Sequence, residues 1–370
     1  MEFGLGLVCY TDCWHDVAFA EEHGFATAGF ADSPLLGGDG FVCLALAAQQ
    51  TRRIRLGSFL AVPSNRLSAV AASAVATVNR IAPGRVFLGL GTGNTGRAVF
   101  GLRPLPIAAV ARYAQECSTL LAGGEVAPAD GGPQPPYRFA HAYTGDVDPS
   151  IDAQVPVYIA ADGPKALAVA GRHGDGWITT MQYSHIMDTS PDVFAEARAS
   201  IAAAAEAAGA KERVRYTMLS AGMCLLEDGE SAVSPRALDM AGAVAMLAFH
   251  AYADNPSIAE HLPAPIQDRL DVYERDVLST FPADRSVRHQ WTHRGHLSHL
   301  LPGEAGVLTE EIMRMTTLTG TPDEVANTVL RLHAAGLDNV TVLLPPRLTR
   351  PAVLDIERRL MPLVALGAST

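Results

Sequence analysis

The chain has 370 residues, 48% of them hydrophobic and 18% charged, with a formal net charge of −11. That length and apolar content can bury a sizeable core, while the acidic balance argues against nucleic acid, which selects a basic face. No apolar run approaches the roughly 20 residues of a membrane span, and Met1 leads into a strand without a basic signal region, so a cytoplasmic location and a small-molecule substrate are expected.

Strand and helix alternate from the first residues. Phe3–Cys9 reads as strand, Trp14–His23 as helix, Ala26–Ala31 as strand, Phe41–Gln50 as helix, Ile54–Leu60 as strand, Leu67–Ile81 as helix and Arg85–Leu90 as strand. A helix near Ala108–Leu121 precedes a polar, Pro/Gly-rich insertion at about 123–154. The β-branched and aromatic run at Val155, Val157, Tyr158 and Ile159 then forms a strand buried on both sides. Asp162-Gly163-Pro164 stops it: Asp162 is placed as N-cap, Pro164 fits the first helical turn, and Leu167, Val169 and Ala170 continue at helical spacing. Trp177–Thr180, Arg213–Cys224 and Asn339–Leu344 supply three more strands, with helices at Asp192–Ala208, Thr321–Ala335 and Arg350–Val364. A second insertion, about 227–320, shows helical pieces and no clear strand. Eight strand-helix units predict an α/β fold, a (β/α)8 TIM barrel with insertions, in a single domain over 1–370.

A barrel of this kind keeps its site at the C-terminal strand ends. These ends carry Asp32-Ser33, Leu60-Ala61, Gly91-Thr92-Gly93-Asn94, Ala161-Asp162-Gly163 and Thr179-Thr180-Met181-Gln182. They hold no compact metal-ligand set and no nucleophile beside a base, so an organic cofactor is expected to carry the reaction. The backbone amides opening the helix after Gly163, with Lys165 beside them, form an anion-receptive turn.

Other features weigh less. Gly91, Gly93 and Gly96 satisfy GxGxxG, but Pro104 and Pro106 are expected to prevent a helix from opening at once, and no acidic strand end follows about 20 residues on. The five cysteines, at 9, 13, 43, 117 and 224, lack CxxC spacing and read as reduced core thiols. Among His289, His293, His296 and His299, positions seven apart on a helix lie about 10.5 Å apart along its axis, so one metal could take only a neighbouring pair. No metal is therefore assigned. Trp291, His293 and His296 are either structural or fold over the site as substrate contacts or general acid/base. Arg66 is favoured as an anion contact.

Four segments then carry a family resemblance: AEEHGFATAGFAD at Ala20–Asp32, RIRLGSFLAVPSNRLSAVAASAVATVNRIAPGRVFLGLGTGN at Arg53–Asn94, PVYIAADGPKALAVAGRHGDGWI at Pro156–Ile178, and LTGTPDEVANTVLRLHAAGLDNVTVLLP at Leu318–Pro345. In this order the chain resembles the bacterial-luciferase-like superfamily of flavin and deazaflavin enzymes, nearest the branch that includes methylenetetrahydromethanopterin reductase and other users of coenzyme F420. The resemblance implies a luciferase-like barrel, a homodimer, and hydride transfer between F420 and a small organic substrate. It places Asp32 near the deazaflavin ring, a cis non-prolyl peptide at Phe59-Leu60 behind it, Gly93 and Asn94 beside it, and the coenzyme phosphate over Ala161, Asp162, Gly163, Pro164 and Lys165. Ala61 and Thr180 complete the cofactor set, and Asp32, Asn94, His293 and His296 the catalytic one. Three positions depart from the family. Ser33 and Asn94 stand where the sugar-phosphate dehydrogenases have histidine and glutamate, and Gly6 stands where the methanopterin reductase has glutamate. The alternative is an FMN-dependent two-component monooxygenase using O2 and reduced flavin from a partner reductase; a third reading is a non-catalytic flavin-binding relative. The sequence DGPKAL, without the Glu-Ser pair common at this turn in the FMN enzymes, favours F420.

Overall fold

The computed structural model describes residues 1–127, 135–140, 155–180, 187, 191–209 and 214–367. Most of the expected 123–154 insertion, Met181 and Gln182 after the sixth strand, and Arg213 lie outside them. Parallel strands β1 (Glu2–Leu7), β2 (Thr27–Phe30), β3 (Arg55–Ala61), β4 (Val86–Leu90), β5 (Val157–Ala160), β6 (Gly176–Thr179) and β7 (Tyr216–Leu225) follow in chain order, then β8 (Leu318–Gly320) and β9 (Asn339–Leu343). The order β6-β5-β4-β3-β2-β1-β9-β7, with β6 also paired to β7, closes a barrel of eight strands. The remaining strand, β8, corrects the expectation of a strandless insertion. It pairs only with Met223–Leu225 at the far end of β7, and its three residues are too short to show a period.

The strands read plainly because both faces are covered. Outside, residues such as Leu5, Leu56 and Leu88 join helix residues such as Leu44, Val75 and Val110 in the main core. Inside, Phe87, Tyr158, Ile178 and Met218 form a separate cluster, with the Phe87 and Tyr158 rings stacked at 4.9 Å and Tyr158 and Tyr216 at 5.7 Å. Glycine admits these rings: a Cβ on Gly57 would lie 2.4 Å from Phe87 Cδ2, and one on Gly176 2.4 Å from Tyr158 Cδ1.

Helices α1 (Trp14–Glu22), α2 (Gly40–Gln50) and α3 (Ser68–Ile81) pack outside the first strands, followed by α4 (Asn94–Ala98), α5 (Ile107–Leu121), α6 (Pro164–His173) and α7 (Pro191–Ala207). The elaboration between β7 and β8 has its own core around Met246, Phe249, Ile266, Tyr273 and Met313. Among the described residues, no helix is long and apolar enough to cross a membrane.

Candidate functional site

The barrel mouth and the elaboration together line a cavity of about 920 Å³. Asn94, Thr180 and Leu343 contribute from the barrel; His250, Asp254, His289, His293 and His296 contribute from the elaboration. Four of the expected residues, Asn94, Thr180, His293 and His296, thus line this cavity, and the rest are not part of its lining.

Asp32, just past β2, is buried, and its Oδ2 accepts from Val62 N at 3.0 Å. Burial raises its pKa, opposed in part by the Val62 amide, Asn65 and Arg66. The Phe59-Leu60 peptide is cis, as the resemblance implied. It coincides with a register shift between Ser58 and Ala61 against β4. Phe59 packs on Gly29, where a Cβ would lie 2.5 Å from Phe59 Cβ, and Leu60 packs on Gly91. Ala61 is buried opposite Leu90.

Gly93 takes φ +79°, which its missing Cβ permits, and α4 opens immediately at Asn94. A helix does therefore follow GxGxxG at once, against expectation, because it ends at Ala98, before the prolines. The dinucleotide reading fails on topology instead: β4 lies between β3 and β5 of a closed barrel.

The turn after β5 is built differently from its sequence reading. The N-cap of α6 is Gly163, with no side-chain cap bond, and Pro164 opens the helix. Asp162 does not cap. Its Oδ1 accepts from Thr179 Oγ1 at 2.5 Å and Thr180 N at 3.1 Å, and its Oδ2 from Thr180 Oγ1 at 2.9 Å. Trp177 Nε1 donates to Ala161 O at 2.7 Å, anchoring the strand end from below. The carboxylate that could have filled the helix N-terminus is thereby drawn to the neighbouring strand. Asp162, Gly163, Pro164 and Lys165 are all exposed, and nothing lies within 4 Å of a Cβ built on Gly163. An uncapped, open helix start beside a lysine fits a phosphate.

His293 is the C-cap of a four-residue helix, His289–Thr292. The regular spacing assumed from sequence stops there, and His296 follows in a turn. His293 Nε2 bonds Asp254 Oδ2 at 2.9 Å. Burial, with His293 and His250 beside it, holds His296 well below the ordinary histidine pKa. His250 had not been singled out. It lies in the helix Leu247–Asp254, buried, with Nε2 on Glu304 Oε1 at 2.8 Å. Its one sequence signal is a titratable residue inside the apolar run LAFHAYA.

Other residues near the barrel ends and in the elaboration have these partners. The Arg66 guanidinium, favoured as an anion contact, pairs with Asp39 and stands 4.6 Å from the Phe41 ring. Trp291 stacks under Arg294 at 4.3 Å, and the Tyr10 hydroxyl bonds Asp16. All five cysteines are free and buried, and burial pushes Cys13 up to about 12 and Cys224 to about 11, as inert thiols require.

A family model described as luciferase-like monooxygenase matches residues 16–339. The 5,10-methylenetetrahydromethanopterin reductase of Archaeoglobus fulgidus is 27% identical over 345 residues, 92% of each chain. The F420-dependent glucose-6-phosphate dehydrogenase of Beutenbergia cavernae is 37% identical over 143 residues, covering 37% of this chain and 40% of that protein. Among solved structures, the coenzyme F420-dependent tetrahydromethanopterin reductase of Methanopyrus kandleri superposes with a TM-score of 0.69 over 98% of both chains at 20% identity, a likeness of fold.

Proposed function

The chain belongs to the luciferase-like monooxygenase family, and on that footing we propose that it is an F420-dependent oxidoreductase acting on a small organic substrate. The observation that carries this reading is the open start of α6, freed by the diversion of Asp162 to Thr179 and Thr180. When bound, the coenzyme supplies or accepts a hydride at its C5.

The chain's own residues divide the work. The first-turn amides of α6 and Lys165 hold the phosphate, and Trp177 keeps Ala161 in place beneath it. Phe59 and Leu60 back the ring, and Gly93 and Asn94 flank it. Asp32, its pKa raised by burial, holds a proton at its carboxyl or takes one up near the ring edge. The cavity between Asn94, Thr180 and the elaboration holds the substrate.

The same reading makes residues 1–370 one catalytic domain of a cytoplasmic homodimer, with a reductase supplying reduced coenzyme. Support for the dimer is an apolar surface on neighbouring helices: Val42 and Leu67 are 59% and 77% exposed, with Val70 beside them.

Titrating the purified protein separately with F420 and FMN, while following absorbance and fluorescence, tests the proposal. Saturable F420 binding is the expected result. Binding of FMN alone, with oxygen consumption when the flavin is reduced, would replace it with the monooxygenase reading.

A further inference from the structure

We infer that His250, His293 and His296 form a binding site for a divalent transition-metal ion of the zinc class, with an open coordination position facing the cavity. One ring nitrogen of each lies within 4.8 Å of one from each of the others, and the rings sit 5.5–6.4 Å apart by centroids. The Nδ1 atoms of all three are buried and find no hydrogen-bond partner among the described residues. Three orphaned polar atoms on neighbouring buried rings are costly unless something joins them.

The surroundings say what that is. His250 Nε2 lies 2.8 Å from Glu304 Oε1, and His293 Nε2 lies 2.9 Å from Asp254 Oδ2. Glu304 is itself fixed, since Leu301 N donates to its Oε2 at 2.6 Å. A carboxylate accepting the Nε2 proton selects the tautomer whose Nδ1 carries a lone pair, the form that ligates metal. That leaves the buried, unpartnered Nδ1 atoms of His250 and His293 as lone-pair donors on rings that neighbour His296. Two carboxylates behind the rings favour a cation over an anion at the centre.

The geometry needs little change. Zinc–nitrogen bonds near 2.0–2.1 Å place tetrahedral ligands about 3.3 Å apart, so from 4.8 Å each nitrogen closes by roughly 0.8 Å. Three neutral nitrogens without a thiolate suit zinc or cobalt better than calcium or magnesium. All three histidines line the cavity, so the fourth position faces whatever fills it. Resting on the proposed reading of that cavity as the substrate pocket, the ion would seat a carbonyl or hydroxyl oxygen of the substrate as a Lewis acid.

Chelator-stripped full-length protein, without F420, is dialysed against Zn2+ and titrated with Co2+. One equivalent of Zn2+ per chain, a visible ligand-field band for Co2+ and a metal-dependent rise in Tm are expected. His250→Ala, His293→Ala and His296→Gln should each abolish stoichiometric binding. Asp254→Asn, which keeps every ligand, should weaken it about 10- to 100-fold and serves where a histidine variant does not fold. Azide should shift the Co2+ band. Absence of stoichiometric Zn2+, or binding indifferent to these four substitutions, overturns the site; a band unmoved by azide overturns the open position. F420 titration of the same preparations separates the two claims, since loss of either binding leaves the other measurable.

Discussion

Gly163→Asp should stabilise the free protein and weaken coenzyme binding, two effects of opposite sign from one atom group. Gly163 has φ −98° and ψ 161°, an extended conformation open to any residue, and nothing within 4 Å of its Cβ position. An aspartate there caps α6. Replacing glycine at an N-cap contributes a few tenths of a kcal/mol and the carboxylate's meeting with the helix dipole about 0.3–1 kcal/mol, so Tm should rise by about 1–2 °C. The same carboxylate takes the amides that the phosphate would use. Losing that seat costs about 1–2 kcal/mol, and like-charge repulsion at about 4 Å in this exposed turn adds roughly 1 kcal/mol. The sum of about 2–3 kcal/mol corresponds to roughly 30- to 150-fold weaker F420 binding. Fluorescence titration and thermal melts on the same preparation read both effects, with Gly163→Ala as a control expected to bind within about threefold of wild type. A Gly163→Asp protein that binds F420 as tightly as the parent would refute the phosphate seat.

Three further outcomes are expected. Asp32→Asn keeps the acceptor for Val62 N but removes the titration: since burial raises the folded pKa above 3.8, wild type loses stability as pH rises from that value through the folded pKa. The variant should therefore gain on wild type in Tm between acid and neutral pH, and a pH-independent difference would contradict the assigned shift. Trp177→Phe removes the donor to Ala161 O and part of the stack on Phe194, whose centroid is 4.9 Å away; denaturant unfolding should show a loss of about 2–4 kcal/mol, with weaker F420 binding because Ala161 begins the cradle. Leu67→Glu places a charge on the 77% exposed apolar position and should convert a dimer into monomers in sedimentation velocity; an unchanged mass would move the interface elsewhere.

The barrel was legible because its strands are buried on both faces and leave short apolar runs between helices, as VFLGL in β4 shows. Three residues pairing only with the end of β7 leave no such pattern, which is why β8 escaped. At the cradle the local grammar misled: Asp before Gly-Pro reads as a cap, but two threonines from the adjacent strand outcompete the helix amides for its carboxylate. The histidine cluster was half legible. His293 and His296 stand out together, yet their partner His250 comes from a distant helix, and the spacing argument assumed a helix that ends at Thr292.

At the three positions where the family resemblance would place glutamate or histidine, Gly6, Ser33 and Asn94 are uncharged, and their surroundings are filled accordingly. A Cβ on Gly6 would lie 2.5 Å from Leu343 Cδ2, so a glutamate there requires Leu343 to move. Ser33 Oγ packs near Gly96, and Asn94 meets Thr92 Oγ1 at 3.3 Å. The cavity recovers titratable groups from the opposite side, through His250, His293 and Asp254 on an elaboration that has its own core. A barrel that fixes the coenzyme and an insertion that supplies the groups facing the substrate can vary independently, because the two are packed as separate clusters. On the proposed reading, substrate choice resides in 227–320, and substitutions in the His250, His293 and His296 group should change turnover while leaving F420 affinity at the α6 cradle intact.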